Sequence, residues 1–184
     1  MTTFLIILAV IAVLAVIYVI ASYNGLVSKR NKVANSWSQI DVQLKRRFDL
    51  IPNLVETVKG YAAHEKDTYE SVIRARNSYM SASSHQDVIK ATNELSRGLS
   101  RLMVLAESYP DLKANSNFQE LMKELTKTED KIAFARQFYN DVVMDYNNSI
   151  QMFPKNILAN AFNFMEEPFF TIDGNETKAP EVKF

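Results

Sequence analysis

Residues 4 to 21 read FLIILAVIAVLAVIYVIA, a run with no charged side chain, glycine or proline. At about 1.5 Å per residue a helix of this length spans roughly 27 Å, close to the hydrocarbon thickness of a bilayer. The run constrains the chain most strongly because it withdraws these residues from any soluble core. A cleaved signal peptide is the rival reading, since Val19-Ile20-Ala21 is a weak match to a small-residue cleavage site. Two features favour a retained anchor. The preceding MTT carries no Lys or Arg, and the apolar run exceeds the roughly 7–15 residues of a signal core.

Without cysteine, the end of the run offers no site for lipoprotein processing. The first charges after it are Lys29, Arg30 and Lys32. Cations beside a single span tend to stay in the cytoplasm. The expectation is therefore a single-pass protein of the cell (inner) membrane with its bulk domain in the cytoplasm. The alternative places that domain on the periplasmic or extracytoplasmic face.

The 184 residues leave room for one ordinary domain after the anchor. Basic and acidic residues balance at 21 each, and the cations are interspersed with Asp and Glu. No long basic stripe exists to track a phosphate backbone, so nucleic acid is not an expected partner. Zero cysteines exclude a disulfide framework and a thiolate zinc site.

Beyond the anchor the pattern is helical. Val33, Trp37, Ile40, Leu44, Phe48, Ile51, Val55, Val58 and Ala62 recur in steps of three and four, which places them on one helix face. The stripe passes Pro52 without a change of phase. A kinked helix is expected there, with Arg47 or Asn53 compensating the carbonyl that proline leaves free. MSASSHQD, residues 80–87, reads as a turn, because small polar residues compete with the helical backbone for hydrogen bonds.

Val88, Thr92, Leu95, Leu99, Leu102, Ala106 and Tyr109 stripe the next helix, which must stop before Pro110. Ser116 with Gln119 has the spacing of a capping box. From there Phe118, Leu121, Leu125, Thr128, Ile132, Ala135, Tyr139, Val142, Tyr146 and Ile150 mark a long helix ending before Pro154.

The fold class expected is all-α: an N-terminal transmembrane helix followed by an elongated antiparallel three- to four-helix bundle. The expected divisions are 1–27 for the anchor and juxtamembrane segment, 28–165 for the bundle and 166–184 for a tail. The C-terminal part is rich in phenylalanine (Phe153, Phe162, Phe164, Phe169, Phe170 and Phe184), whereas disordered tails are poor in aromatics. Its chain up to Ile172 is expected to dock, either on its own bundle or on a neighbouring chain, and to fray from Asp173.

Catalytic constellations are weak. His64 and His85 are not preceded three residues earlier by Glu, as a di-metal bundle site needs; Tyr61 and Ala82 stand there. There is no Gly-x-Ser-x-Gly elbow and no glycine-rich phosphate loop. Asp41 and Asp49 share a helix face with Lys45, Arg46 and Arg47 between them, which favours ion pairing over acid–base chemistry. Tyr139-Asn140 and Tyr146-Asn147 repeat two helical turns apart. Inter-helix aromatics with partnered hydroxyls explain them better than a ligand site does.

Several strings together resemble the LemA family of bacterial membrane proteins. They are Tyr23-Asn24-Gly25-Leu26-Val27, Arg30-Asn31-Lys32-Val33, and Trp37-Ser38-Gln39-Ile40-Asp41-Val42-Gln43-Leu44-Lys45-Arg46-Arg47. Asp49-Leu50-Ile51-Pro52-Asn53-Leu54-Val55, Glu107-Ser108-Tyr109-Pro110-Asp111-Leu112-Lys113-Ala114, Ala135-Arg136 with Tyr139-Asn140, and Tyr146-Asn147 continue the match to Pro168-Phe169-Phe170.

The resemblance implies a membrane helix followed by an antiparallel helical bundle, and it brings no catalytic residue with it. A related branch of that family occurs in magnetosome membranes. Neighbouring genes often encode membrane metalloproteases, an association that motivates a membrane-protein partner.

The expected role is a non-enzymatic, self-associating scaffold anchored in the bilayer through residues 4–21. The alternative is an adaptor or regulator binding another membrane protein through the 41–61 face. No cofactor is expected. The candidate interaction or structural positions are Asp41, Arg46, Arg47, Pro52, Tyr139, Asn140, Tyr146, Phe169 and Phe170.

Overall fold

The computed structural model describes residues 1–171, and over these the chain is helical, with no strand among the described residues. The helices are α1 (Thr2–Asp49), α2 (Ile51–Tyr61), α3 (Lys66–Met80), α4 (His85–Glu107), α5 (Pro110–Ala114), α6 (Ser116–Gln151) and α7 (Lys155–Ala161). The fold class is all-α, with a long apolar helix leading into helical-bundle packing. The described residues divide into two compact units: residues 1–38 with 137–169, and residues 39–136 with 170–171.

In the first unit, α1 begins as the apolar run, and every residue from Met1 to Ala21 is exposed. It is long and apolar enough to cross a membrane. Burial starts where the apolar run stops: Ser22, Leu26, Val33 and Ser36 of α1 are buried, as are Tyr139, Val143 and Tyr146 of α6. The two helices run antiparallel here, with Lys29 paired to Asp145 at 2.6 Å and the Trp37 ring edge-on to Tyr139.

One position of the α6 stripe differs from the expected set: Val143 rather than Val142 is fully buried, with Tyr139, Tyr146 and Ile150 buried as expected. After α7, Asn163 adopts a left-handed conformation (φ 55°). Phe164 N–H donates to the Ala159 carbonyl at 2.9 Å, and Asn163 N–H reaches the Asn160 carbonyl at 3.4 Å. This is the Schellman closure of a helix end, with Asn filling a position that usually needs glycine. It reverses the chain and sends residues 164–169 back along α6.

In the second unit, Leu44, Phe48, Ile51, Val55 and Val58 are buried as one continuous stripe. Near the expected kink the helix is interrupted at one residue, Leu50. α1 ends at Asp49, Leu50 N–H bonds the Arg47 carbonyl at 3.3 Å, and α2 starts at Ile51. Leu50 keeps helical dihedrals (φ −75°, ψ −20°), so the stripe keeps its phase. Pro52 thereby lies in a first helical turn, where a missing N–H costs nothing. The larger penalty of a proline in a helix interior does not arise.

A second break at residues 62–65 separates α2 from α3. The turn expected at 80–87 is present: Ser84 caps α4, accepting from Asp87 N–H at 3.2 Å and donating to its carboxylate at 2.7 Å. α3 and α4 approach closely at Gly98, where an added Cβ would lie 3.0 Å from Val72 Cγ2. The N-cap of α6 is Asn115, whose Oδ1 accepts from Phe118 N–H at 2.9 Å, and not the expected Ser116. Gln119 does not close a capping box but donates to the Lys113 carbonyl.

Candidate functional site

Of the candidate positions, Tyr139 and Tyr146 come together with the returning chain in the first unit. Both rings are buried, and each hydroxyl donates to a tail carbonyl at 2.9 Å: Tyr139 to Pro168 and Tyr146 to Met165. Between these bonds, Asn147 engages Glu167 twice, its Nδ2 donating to the carbonyl at 2.9 Å and its Oδ1 accepting the N–H at 3.0 Å. Gln151 extends the ladder through the Glu166 carboxylate at 2.7 Å.

An irregular segment cannot pair its own backbone, so buried amides and carbonyls must find partners elsewhere. Here α6 side chains supply them, and the tail runs antiparallel to the helix. The tail therefore docks on its own bundle, one of the two outcomes expected. What was expected of the chain from Asp173 lies outside the described residues.

Burial, with the nearby Glu167 carboxylate adding to it, pushes the Tyr139 phenol up to about 12. The same two causes raise Tyr146, and the Arg30 guanidinium pulls it partly back. Both hydroxyls are thus held protonated, as donation to a carbonyl requires. α1 closes the other side of this cluster. Tyr23 meets Phe162 and Phe164 edge-on at 4.9 and 5.8 Å, and Arg30 lies over the Phe164 ring at 5.3 Å.

Asn140 is half-buried, one turn from the ladder. Phe169 is largely exposed, whereas Phe170 is buried beneath the Arg136 guanidinium at 5.9 Å in the second unit. Asn147, the residue that grips the tail most fully, stands outside the expected set of site residues. Its signal was the repeated Tyr-Asn pair.

The remaining candidates are in the second unit, where Asp41, Arg46 and Arg47 engage neighbouring helices. Asp41 accepts from the Tyr79 hydroxyl at 3.0 Å, and Tyr79 stacks on Phe48 with centroids 4.0 Å apart. Burial first, then the charge and hydrogen bond of Asp41, raise the Tyr79 phenol far above its ordinary value. Exposed Arg46 pairs with Glu124 at 2.8 Å. Arg47 is only 4% exposed and pairs with Glu129 at 2.6 Å, with a longer bond to Ser96 at 3.3 Å.

Glu124 also holds Lys127; that lysine first, and Arg46 second, lower its carboxyl below the ordinary range. Pro52 is exposed in the first turn of α2. His64 is exposed as well, and among the described residues no group of three or more His, Cys, Asp or Glu is placed to hold a metal ion. The exposed side chains of Val42 and Phe134 line a shallow groove between α1 and α6, with Gln39, Gln43 and Ala135 around them.

Comparison with known proteins finds related sequences. A family model described as LemA family matches residues 36–184. Magnetosome protein MamQ 2 of Paramagnetospirillum magneticum is 26% identical over 174 residues, covering 80% of this chain and 64% of that protein. Magnetosome protein MamQ of Magnetospirillum gryphiswaldense is 24% identical over 174 residues, with the same coverages of 80% and 64%. Protein LemA of Metamycoplasma hominis is 26% identical over 152 residues, covering 80% of this chain and 68% of the relative. The chain thus spans less than two thirds of the length of the magnetosome relatives.

Proposed function

This chain belongs to the LemA family, and from that premise we propose that it is a non-enzymatic, membrane-anchored scaffold that associates with further copies of itself. The apolar part of α1 holds it in the bilayer. Lys29, Arg30 and Lys32 directly follow the span, and flanking cations of this kind support a cytoplasmic position for the helical units at the inner membrane.

One observation carries the self-association: Val42 and Phe134 face one groove between α1 and α6 while 64% and 76% exposed. Large apolar side chains grouped on a groove favour protein–protein contact. A shared membrane plane raises the effective concentration of copies that present it. Asp130 and Lys131 also line the groove, whereas Arg46 and Arg47 already engage Glu124 and Glu129 within the chain. That engagement also weakens the second reading, an adaptor binding another membrane protein through the 41–61 face.

The test is the particle mass of the full chain in mild detergent, compared with the Val42→Glu, Phe134→Glu double variant. An oligomer that the double variant reduces to monomer supports the scaffold. A monomeric wild-type particle at micromolar concentration removes it.

A further inference from the structure

The first unit leaves a second group of apolar side chains bare, away from that groove. Met152, Phe153, Ile157, Phe162 and Met165 are all at least half exposed, and Phe153 is 80% exposed. They belong to the turn after α6, to α7 and to the start of the returning chain. Their level relative to the apolar run follows from contacts inside the unit.

Lys29 on α1 is paired with Asp145 on α6. From Asp145, α6 continues to Gln151, an advance of roughly 9 Å. Because the helices are antiparallel, the same distance back along α1 from Lys29 reaches Tyr23. The Tyr23 ring itself touches Phe162 and Phe164. The elbow formed by residues 152–165 is therefore level with the end of the uncharged run at Ala21. Aromatic side chains concentrate at this depth in membrane proteins, where apolar bodies enter the acyl boundary.

We infer that this elbow is a second membrane contact, in which Met152, Phe153, Ile157, Phe162 and Met165 insert into the interfacial layer of the bilayer that α1 spans. Continuity selects lipid as the occupant. The exposed apolar surface of α1 ends where the exposed surface of the elbow begins, within one compact unit. Lys155 opens α7 beside these side chains, and Arg30 covers the Phe164 ring. Cations flanking an apolar face match an anionic headgroup layer. The contact would fix the rotation of the first unit about the anchor, which a single spanning helix leaves free. The inference rests on the membrane-anchored reading above.

The experiment uses the full chain in vesicles of phosphatidylcholine with an anionic phospholipid, whose acyl chains carry bromine near the headgroup end for the elbow positions and, in a second preparation, near the chain end for the span. Single tryptophans are added as Phe153→Trp or Ile157→Trp on the elbow, Leu14→Trp in the span, and Phe138→Trp. Phe138 lies on α6 roughly 20 Å from Gln151. The signal of the native Trp37, measured in the unsubstituted chain, is subtracted.

The expected result is loss of emission at both elbow positions and at Leu14→Trp, with Phe138→Trp unaffected. Elbow tryptophans no more quenched than Phe138→Trp overturn the inference. If Leu14→Trp is quenched in that case, the anchor reading survives alone; if it is not, both fail. Elbow emission that is blue-shifted but unquenched also overturns it, since protein and not lipid then covers the face.

Discussion

Asn147 and Glu167 exchange two hydrogen bonds, side-chain amide to backbone, at 2.9 and 3.0 Å. One helical side chain thereby satisfies both polar groups of a peptide in a segment that has no ladder of its own. Tyr146 and Tyr139 hold carbonyls on either side of it.

Replacing Asn147 with Leu removes both bonds and leaves the Glu167 N–H and C=O without their partner. Each orphaned backbone group costs about 1–3 kcal/mol when water cannot reach it. Because the site is partly buried, a loss of about 2–3 kcal/mol in urea unfolding is expected. Amide exchange of residues 164–167 should accelerate more than that of α3 and α4. Uniform acceleration would contradict a local clamp.

Tyr139 gives the clamp a pH dependence. Its phenol is raised in the folded state from an ordinary value near 10 to about 12. The stabilisation is therefore fully present below about pH 10 and is lost as pH rises towards 12. Melting temperature should fall across that window, with Tyr79 and Tyr146 contributing in the same sense. Tyr139→Phe should cost about 1 kcal/mol at neutral pH and flatten part of the alkaline loss. An unchanged alkaline slope in that variant would sink the assignment.

Arg46 and Arg47 are adjacent in sequence but differ in burial, and this predicts unequal sensitivities. Arg46→Ala removes an exposed pair and should change stability by about 0–1 kcal/mol. Glu129→Ala strands the buried Arg47 guanidinium. Glu129 is itself partly exposed, so water offsets some of the damage and a loss of about 1–3 kcal/mol is expected. Denaturant midpoints of the two variants would check the order.

Gly98 permits the close approach of α3 and α4, with Val72 Cγ2 and Ser71 Oγ 3.0 and 3.3 Å from the place of its missing Cβ. Gly98→Leu should overpack this contact and cost about 1–3 kcal/mol in thermal or chemical unfolding. A neutral result would mean that the two helices separate without penalty.

The helices were legible because their apolar residues keep one period over long stretches, from Leu44 to Val58 and from Thr92 to Ala106. The same regularity concealed the breaks. Leu50 interrupts the chain without shifting phase, so the stripe alone reads as one helix. The cap of α6 was misplaced because Asn115 and Ser116 have similar capping preference, and only geometry separates them. Val142 gave way to Val143 because steps of three and of four from Tyr139 both stay near one helix face, so the period alone does not choose between two adjacent valines. Asn147 could be noticed beside Tyr146, but its role depends on the backbone of Glu167. Irregular chain carries no period from which such a partner can be read.

The most direct test of the account is chemical cross-linking in intact membranes. The chain has no native cysteine, so Phe134→Cys supplies a single thiol in the exposed groove. A short bis-maleimide should join two copies at this position, and Val42→Glu in the same chain should abolish the product. Absence of a dimer with Phe134→Cys, while the thiol still reacts with a soluble maleimide, would contradict self-association through this groove.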